Sequence, residues 1–349
     1  GGSDDPVSNP SLITLDPSLS LINDEGILID GFTLEENHAW NGAAISSSGL
    51  GAGADFRNLT IKNNVANNSG GGLGIGQTDF MTTLDNIYIT NNTAGSTGGG
   101  INAYNVDLIL NNVIIDGNRT LNGYPGSPQG GAGLHYEFTN GALDSITISN
   151  STISNNIIEE TENGKGGGIF LQGLDYLGLT NVYIVGNHST WGGGGIYYDT
   201  GSLLTMDGCS IDNNTSDLYA SGLFAYNADV DIRNSSISGN TGEFSTMLIH
   251  ESSSVIIENA VIQNNNSISY APIITHMSDL SDPSYPSCLL DHVVITGNNT
   301  SALDFIPDNN PGTNVEVNLN HCTIADNNQD NMNNYDAVKY EGINSLIIE

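Results

Sequence analysis

An asparagine recurs at a nearly constant interval along the 349-residue chain. It occurs eleven times, and the steps between successive copies run from 25 to 38 residues, mostly between 25 and 29. A period of this length without a helical pattern is typical of one three-strand turn of a solenoid. We therefore expect one repeat architecture rather than the two globular domains that the length alone suggests. This ladder column consists of Asn37, Asn64, Asn92, Asn118, Asn156, Asn187, Asn214, Asn240, Asn265, Asn298 and Asn327.

An upstream column of asparagine, glycine or histidine lies six residues before each member of the ladder column. The residue two positions before the upstream column is apolar in all eleven copies, and the residue three positions after it is Ile or Leu in all eleven. Polar residues alternate with these apolar ones, which predicts strands with one buried face. The upstream column consists of Gly31, Asn58, Asn86, Asn112, Asn150, Asn181, Gly208, Asn234, Asn259, His292 and His321.

The residue immediately before the ladder column is Gly, Asn or Asp in ten of the eleven copies. These residue types accept a positive φ, so we expect a tight turn there. Asparagines that follow the same turn on successive rungs, about 4.8 Å apart, can bond through their side-chain amides. The predicted fold is all-β, a solenoid of about 11 to 12 rungs with an asparagine ladder over residues 26–349. Residues 1–25 are predicted to form an N-terminal extension or cap.

The motif GGGI occurs at residues 98–101, 166–169 and 193–196, where its glycines indicate a tight corner before a strand. A phosphate-binding loop would need a helix after the glycines, and no helical period follows them. GGGI alternating with ITNN or ISNN resembles the GGxI and FxxN repeats of the chlamydial polymorphic outer membrane proteins, with Ile in place of Phe. The whole pattern, over roughly residues 27–349, resembles the right-handed parallel β-helix of the pectate-lyase-like superfamily. The resemblance implies this fold and a secreted protein, extracellular or at the cell surface.

The charge of the chain restricts its partners. Six Lys and Arg residues against 39 Asp and Glu residues give a formal net charge of −33. Such a field repels nucleic acid and attracts cations, so we expect no nucleic-acid partner. We also expect no direct membrane insertion, because the chain contains no apolar run of about 18 residues.

The positions of the basic residues bear on whether the protein is a polysaccharide lyase. The lyases of the pectate-lyase-like superfamily, which the repeats resemble, use basic residues, often with calcium, to neutralise a uronate carboxylate. Arg57 is predicted to lie between acidic residues of the neighbouring rungs, and so is Arg233, between Asp207 and Glu258. Cross-strand ion pairs of this kind contribute about 0.2 to 1 kcal/mol each. The other four basic residues are scattered over separate rungs, which argues against a lyase centre.

An aromatic face is predicted on the strand that follows the glycine corner. Apolar residues point inward there on five successive rungs, so their neighbours point outward. Exposed rings interleaved with carboxylates and amides suit the binding of sugar rings. The alternative is that a stacked column only stabilises the sheet or lies beneath loops 119–130 and 157–165. The candidate ligand-binding residues are Tyr104, His135, Phe170, Tyr197, Phe224 and Tyr226.

Glu137 and Asp199 are the weak candidates for catalysis. They lie two rungs apart on this face, which the strand spacing converts to a separation of about 9.6 Å. This is near the upper limit of the distance between the two carboxyl groups of inverting glycosidases. The favoured interpretation is nevertheless a non-enzymatic, extracellular or cell-surface structural or adhesive β-helix module. The alternative is a carbohydrate-binding or polysaccharide-degrading protein that uses the aromatic face, with a polysaccharide or a host-surface glycan as its partner.

Three cysteines and two acidic residues complete the set of candidate reactive groups. Cys209, Cys288 and Cys322 fall at inward positions and are expected to be core thiols, although a link between Cys288 and Cys322 stays open. His292 and His321 replace asparagine in the upstream column and are interpreted as column members rather than ligands. Glu258 and Asp291 are adjacent carboxylates that either bind calcium, the one cofactor we consider, or form a solvated acidic face.

The final residues, SLIIE at 345–349, align with SVIIE at 254–258, which precedes the upstream column. An open end of a β-helix exposes unpaired strand edges. We therefore expect either continuation of the natural chain into further rungs or head-to-tail assembly with a second copy of the protein into a fibre.

Overall fold

The protein is a parallel β-solenoid in which three sheets wrap around one core. The structure is a computed structural model. It describes residues 11–15, 27–48, 54–76, 81–121, 130–138, 144–159, 163–252, 254–269, 273–278, 287–306, 316–327, 338–340 and 345–348. These residues form strands and turns and include no helix, so none of them forms a helix that could span a membrane.

Among the described residues, the first sheet has twelve strands, each from a different turn. Each strand pairs in parallel with the strand of the next turn. The strands are Ile13–Leu15, Ile45–Ser48, Leu73–Gly76, Ile101–Tyr104, Leu134–Glu137, Ile169–Gln172, Ile196–Asp199, Leu223–Tyr226, Met247–Ser252, Ile274–Ser278, Leu303–Ile306 and Val338–Tyr340. The segment predicted as a cap thus contributes Ile13–Leu15 to this sheet, and its residues 1–10 and 16–25 lie outside the described part of the chain.

The second sheet carries the strands on both sides of the upstream column. The strands before the column are Ile27–Asp30, Ala54–Arg57, Ser145–Ser149, Tyr176–Thr180, Leu203–Asp207, Asp229–Arg233, Ser254–Glu258, Ser287–Asp291, Glu316–Asn320 and Ser345–Ile348. The strands after it are Thr33–Glu35, Thr60–Lys62, Thr152–Ser154, Tyr183–Val185, Ser210–Asp212, Ser236–Ser238, Val261–Gln263, Val294–Thr296 and Thr323–Ala325. Thr82–Thr90 and Leu108–Asp116 run through the column without a break.

The third sheet is made of nine short strands that follow the ladder column, so nine described turns contain strands of all three sheets. Its strands are His38–Asn41, Val65–Ser69, Thr93–Ala94, Arg119–Thr120, Ile157–Ile158, His188–Ser189, Thr215–Ser216, Thr241–Gly242 and Asn266–Ser267. Parallel pairing in all three sheets confirms the predicted all-β solenoid. The register also confirms the alignment of the last strand, because Ser345 pairs with Glu316, Glu316 with Ser287, and Ser287 with Ser254.

The two predicted apolar columns form the core. The residue two positions before the upstream column is buried on every rung, from Ile29 to Leu319. The residue three positions after it is buried from Leu34 to Ile295, and Ile324 is half-buried. Two large side chains of the core were not predicted. Tyr136 and Tyr198 point inward from the first sheet, where Tyr198 donates its hydroxyl hydrogen to the carbonyl of Leu174 at 2.7 Å.

The ladder column forms a continuous chain of amide contacts from Asn37 to Asn327. At Asn187, Oδ1 accepts hydrogen bonds from the main-chain N and Nδ2 of Asn156, at 3.0 and 2.9 Å. Its own Nδ2 donates to Asn214 Oδ1 at 3.0 Å and to the carbonyl of Ile153 at 2.9 Å. A buried amide with every group bonded stabilises the core instead of costing desolvation energy. The predicted asparagine ladder is therefore present.

The upstream column has a different role, because it supplies backbone conformation. All eleven members have a positive φ, from about 49° at Asn234 to 79° at Gly31. The residue before each ladder asparagine also has a positive φ on every rung, including Glu36 at 58°. Each turn therefore contains two left-handed residues five positions apart, of which the sequence analysis predicted only the second. Asn and Gly are common at both places because they adopt this conformation at low cost.

The glycine corner allows neighbouring rungs to approach closely. A Cβ atom on Gly167 would collide with the carbonyl oxygens of His188 and Gly194, both in the main chain. Gly166 has a φ of 66°, which turns the chain into the first sheet. The corner is thus required for packing, as predicted, and it positions the strand that carries the aromatic face.

Candidate functional site

A column of stacked rings runs along the outer face of the first sheet. His135 and Phe170 have centroids 4.8 Å apart, Phe170 and Tyr197 5.5 Å, and Tyr197 and Phe224 4.6 Å, with nearly parallel planes. The predicted register is correct, since His135 pairs with Phe170, Phe170 with Tyr197, and Tyr197 with Phe224. Four predicted ligand-binding residues are thus brought together in one column.

The predicted exposure of this column is wrong. Phe170 is 1% exposed, Tyr197 3%, Phe224 5% and His135 2%. The faces of the three aromatic rings are covered by neighbouring rings and by an outer layer of residues, so they cannot receive a sugar directly. The structure agrees with the alternative interpretation, in which the column packs beneath other segments. Residues 122–129 and 160–162 of the two loops considered for this role lie outside the described residues.

The covering layer comes from the connections that precede the glycine corners. The Trp191 ring packs against Tyr197, Tyr219 and Phe224, with centroids 5.7, 4.7 and 5.6 Å away. Lys165 extends over the same rings, and its Nζ lies 4.8 Å from the centroid of Trp191 and 4.9 Å from that of Tyr197. Cation–π contacts of this kind stabilise by about 0.5 to 2 kcal/mol. The column and its cover form a second, smaller apolar cluster outside the solenoid core.

A groove of about 390 Å³ opens beside this cluster. Half-buried rings and one aliphatic side chain form much of its wall, and Asp199 contributes a carboxylate. The residues that line it are Trp191, Tyr197, Asp199, Tyr219, Phe224, Tyr226, Leu248 and His250. The ring of Tyr226 stacks on that of His250 with centroids 5.2 Å apart. Three of the six predicted ligand-binding residues, Tyr197, Phe224 and Tyr226, therefore line one groove.

Trp191 and Tyr219 were missed by the sequence analysis. The signal available was their position, since both occur shortly before a glycine corner, in STWGGGGI and DLYASGL. The main-chain N of Tyr219 donates to the carbonyl of Trp191, so the two residues occupy matching places on successive rungs. The two residues lie at different distances from the strand that follows, five residues before Ile196 and four before Leu223, so the repeat columns do not align them.

The charges of the groove are partly buried. Burial raises the pKa of Asp199 above its ordinary range, although the charge of Lys165 and a hydrogen bond from Thr200 act in the opposite direction. Burial lowers the pKa of Lys165, and the charge of Asp199 counteracts this effect. Asp199 thus lies in a less polar environment than a carboxyl group on the open surface.

The two catalytic candidates are separated by the structure. Glu137 pairs with Gln172, and Gln172 with Asp199, so the two acids are two rungs apart as predicted. Glu137 does not line the groove. Its carboxylate lies 3.9 Å from Nε2 of His135, and the interaction with this imidazole holds the pKa of Glu137 below its ordinary range, although burial acts in the opposite direction.

Tyr104 lies elsewhere. It lines a polar cleft of about 410 Å³ together with Ser46, Asn68 and Asn102, at some distance along the same sheet. Its neighbours there carry hydroxyl and amide groups rather than further rings. The predicted aromatic face is therefore divided into an aromatic groove near Tyr226 and a polar cleft near Tyr104.

The basic residues are engaged in ion pairs or ring contacts where their side chains are described. Arg57 lies between Asp30 and Asp85 in register, but it contacts Asp55 on its own strand, at 2.8 Å. Arg233 contacts Asp231 at 2.8 Å and also the predicted partner Glu258. Lys62 pairs with Glu35, and Arg119 pairs with Glu159. This arrangement agrees with the argument against a lyase centre.

The two predicted metal candidates have different partners. Glu258 and Asp291 are adjacent in register, yet Glu258 is engaged by Arg233. Asp291 instead contacts the imidazoles of His292 and His321. Cys209 and Cys288 are buried free thiols, and Cys322 is a half-buried free thiol that contacts the carbonyls of Leu290 and Asn320.

Comparison with known proteins adds no relative. The chain matches no protein-family model. Searches of curated proteins and of solved structures likewise return no match.

Proposed function

We propose that the protein is a non-catalytic, extracellular or cell-surface β-solenoid that adheres to polysaccharide through the groove beside Trp191 and Tyr226. The observation that carries the proposal is the groove itself, with its wall of partly exposed aromatic side chains and the carboxylate of Asp199. The glycine and asparagine repeats resemble those of bacterial surface proteins, which supports the extracellular or cell-surface location. The whole repeat pattern supports a relation to the pectate-lyase-like superfamily.

Sugar rings suit this groove for two physical reasons. Their apolar faces pack on aromatic rings, and Trp191, Tyr219 and Tyr226 offer such rings along the groove wall. Their hydroxyl groups donate hydrogen bonds, which the Asp199 carboxylate accepts. The groove runs along stacked rungs, so it matches a ligand with a repeated unit.

Binding without catalysis is favoured by the acids and bases present. Among the described residues that line the groove, Asp199 is the one carboxylate, whereas glycoside hydrolysis uses a pair that flanks the bond. Lys165 does not line the groove but packs on Trp191 and Tyr197, two of the rings in its wall. A polysaccharide-degrading enzyme is the alternative, and Glu137 would have to act from beyond the groove.

The test is binding to a panel of neutral and acidic polysaccharides by affinity electrophoresis, with released reducing ends assayed in parallel. We expect retardation by at least one polysaccharide and no product release. Tyr219→Ala should weaken binding about five- to tenfold, because loss of one stacking ring removes about 1 to 1.4 kcal/mol.

Tyr183→Ala is the matched control, since Tyr183 is 55% exposed on the second sheet and outside the groove. A far-ultraviolet circular dichroism spectrum checks that each variant is folded. If the wild-type protein binds none of the panel, or if both variants weaken binding equally, the groove is not a glycan site. Product release would favour the enzyme.

A further inference from the structure

A cluster of one carboxylate and two imidazoles lies on two adjacent rungs, away from the aromatic groove. Asp291 ends a strand of the second sheet and His292 follows it in the upstream column. His321 occupies the same column one rung later, after the strand that ends at Asn320. Both histidines have a positive φ, 54° and 51°, so their side chains leave the backbone in the same direction.

The nitrogen and oxygen atoms of this cluster converge. Nδ1 of His292 lies 2.8 Å from Oδ1 of Asp291, and Nδ1 of His321 lies 3.3 Å from the same oxygen. The two imidazole rings are stacked with centroids 4.5 Å apart. The three candidate ligand atoms all lie within 4.8 Å of one another. Ligands of a tetrahedral zinc ion, with bonds of about 2.0 to 2.1 Å, are about 3.3 Å apart, so small side-chain rotations bring these atoms to that spacing.

We propose that Asp291, His292 and His321 bind a divalent transition-metal ion of the zinc class, with water completing the coordination. Two imidazoles and a carboxylate are ligands typical of zinc, nickel and copper, whereas calcium takes six to eight oxygen ligands. The predicted calcium pair of Glu258 and Asp291 is replaced by this set, because Glu258 is engaged by Arg233.

The surroundings of the cluster permit access and favour a cation. His292 and His321 have side chains that are 56% and 65% exposed, and Asp291 is 32% exposed, so an ion enters from solvent without movement of the backbone. The formal charge of −33 raises the local concentration of cations around the whole chain. The alternative is that the imidazoles simply donate hydrogen bonds to Asp291.

The upstream column supplies unusually clean test variants. His292→Asn and His321→Asn each place in the column the residue found there at Asn259 and Asn234, which adopt φ values of 50° and 49°. Both variants should therefore fold. His188→Asn is the matched control, because His188 also faces a carboxylate, with its Nε2 3.9 Å from Asp217, but belongs to the third sheet.

The experiment titrates the tag-free, chelator-treated full chain with ZnCl₂ by isothermal calorimetry at neutral pH. We expect one saturable site, and we expect each histidine variant of the cluster to weaken it at least about tenfold, since even indirect partners of a metal ligand change affinity 10- to 100-fold. His188→Asn should bind like the wild type. Co²⁺ in place of Zn²⁺ should give a visible absorption band that the His321→Asn variant lacks.

Three outcomes would overturn the proposal. One is the absence of a saturable Zn²⁺ site in the folded wild type. Another is Zn²⁺ binding that the cluster variants leave unchanged or that His188→Asn weakens to the same degree. The third is equal or tighter binding of CaCl₂ to the same site, which would assign the cluster to calcium.

Discussion

Two columns of side chains run along this solenoid, and they differ in extent and in position. The amide ladder lies inside the turns and continues from Asn37 to Asn327. The aromatic column lies outside the first sheet and is confined to the rungs of His135, Phe170, Tyr197 and Phe224. The column ends at both sides, because Asn102 occupies the matching position on the rung before His135, and Leu248 and Thr275 occupy it on the two rungs after Phe224.

The difference separates what the architecture requires from what it only permits. From Asn64 to Asn327, each ladder asparagine accepts a hydrogen bond from the main-chain N–H of the ladder asparagine on the preceding rung. Each of these rungs therefore needs the amide. The rings of the aromatic column instead contact one another on the outer face of the first sheet. A local aromatic cluster on that face is therefore a better indication of function than the ladder.

The largest effect is expected from breaking the ladder in its middle. Asn187→Leu keeps the approximate shape of the side chain but removes the acceptor of the Asn156 main-chain N–H and the amide donor to the carbonyl of Ile153, while Asn156 Nδ2 keeps its hydrogen bond to the carbonyl of Ile115. At about 1 to 3 kcal/mol for each of the two groups that lose their partner, we expect the protein to lose about 4 kcal/mol of stability. The midpoint of urea denaturation, followed by circular dichroism, measures the loss.

Asn102→Leu is the control for this change. Asn102 is half-exposed on the first sheet and contacts the hydroxyl of Thr97 at 2.8 Å, so its replacement should cost about 1 kcal/mol. Equal shifts in the two variants would show that the ladder contributes no more than an ordinary surface amide.

A smaller but clear loss is expected from the aromatic column. Tyr197 is stacked between Phe170 and Phe224 and is covered by Trp191, so Tyr197→Ala should destabilise the protein by about 3 kcal/mol. The same midpoint measurement applies. This expectation reverses the one that follows from an exposed ring, for which alanine would leave stability nearly unchanged.

Tyr197→Phe separates packing from the hydroxyl group. It retains the stacked ring and should cost less than about 1 kcal/mol. If Tyr197→Ala loses as little stability as Tyr197→Phe, the aromatic column does not pack as the structure places it. The contrast between the aromatic column and the amide ladder would then rest on the ladder alone.

Repetition explains which features were predictable from the sequence. The buried strand columns and the ladder recur on eleven rungs, so the same residue types appear at the same places of the repeat and an alignment of the repeats reveals them. The cover of Tyr197 is not periodic in this way. Trp191 lies five residues before Ile196, whereas Tyr219 lies four residues before Leu223, and this change of spacing hides the pair from a column alignment. Burial of the aromatic column depends on that irregular segment.

The upstream column sharpens the comparison further, because its asparagines serve the backbone. Asn181 has a φ of 53° and its Nδ2 lies 3.4 Å from Asn150 Oδ1. Asn181→Gly should be nearly neutral, as Gly208 occupies the next position of this column at 64°. Asn181→Val should cost about 1 to 2 kcal/mol, because a β-branched residue is strained at positive φ. Thermal midpoints of the two variants should therefore differ, and equal midpoints would contradict a conformational role.

The smallest effect concerns the pH dependence at the groove. Burial raises the pKa of Asp199 in the folded protein, so the folded state holds this proton more tightly than the unfolded chain does. The resulting contribution to the stability of the folded state is fully present below the pKa of about 3.9 that Asp199 has in the unfolded chain. It is lost as the pH rises through the higher pKa of Asp199 in the folded protein. Asp199→Asn should therefore gain stability relative to the wild type between acidic and neutral pH. Thermal midpoints of both proteins across this range test the sign, and a constant difference would contradict it.

The direction of the bonds between rungs has a mechanical consequence. Strand pairing and the amide ladder both connect each turn to the next, so a pull on the two ends of the solenoid loads these contacts in series. When the contacts between two turns break, one turn is released while the neighbouring turns stay paired. A typical turn of 25 to 29 residues then lengthens the molecule by about 80 to 100 Å. We therefore expect the solenoid to unfold turn by turn under tension and to dissipate work at each step.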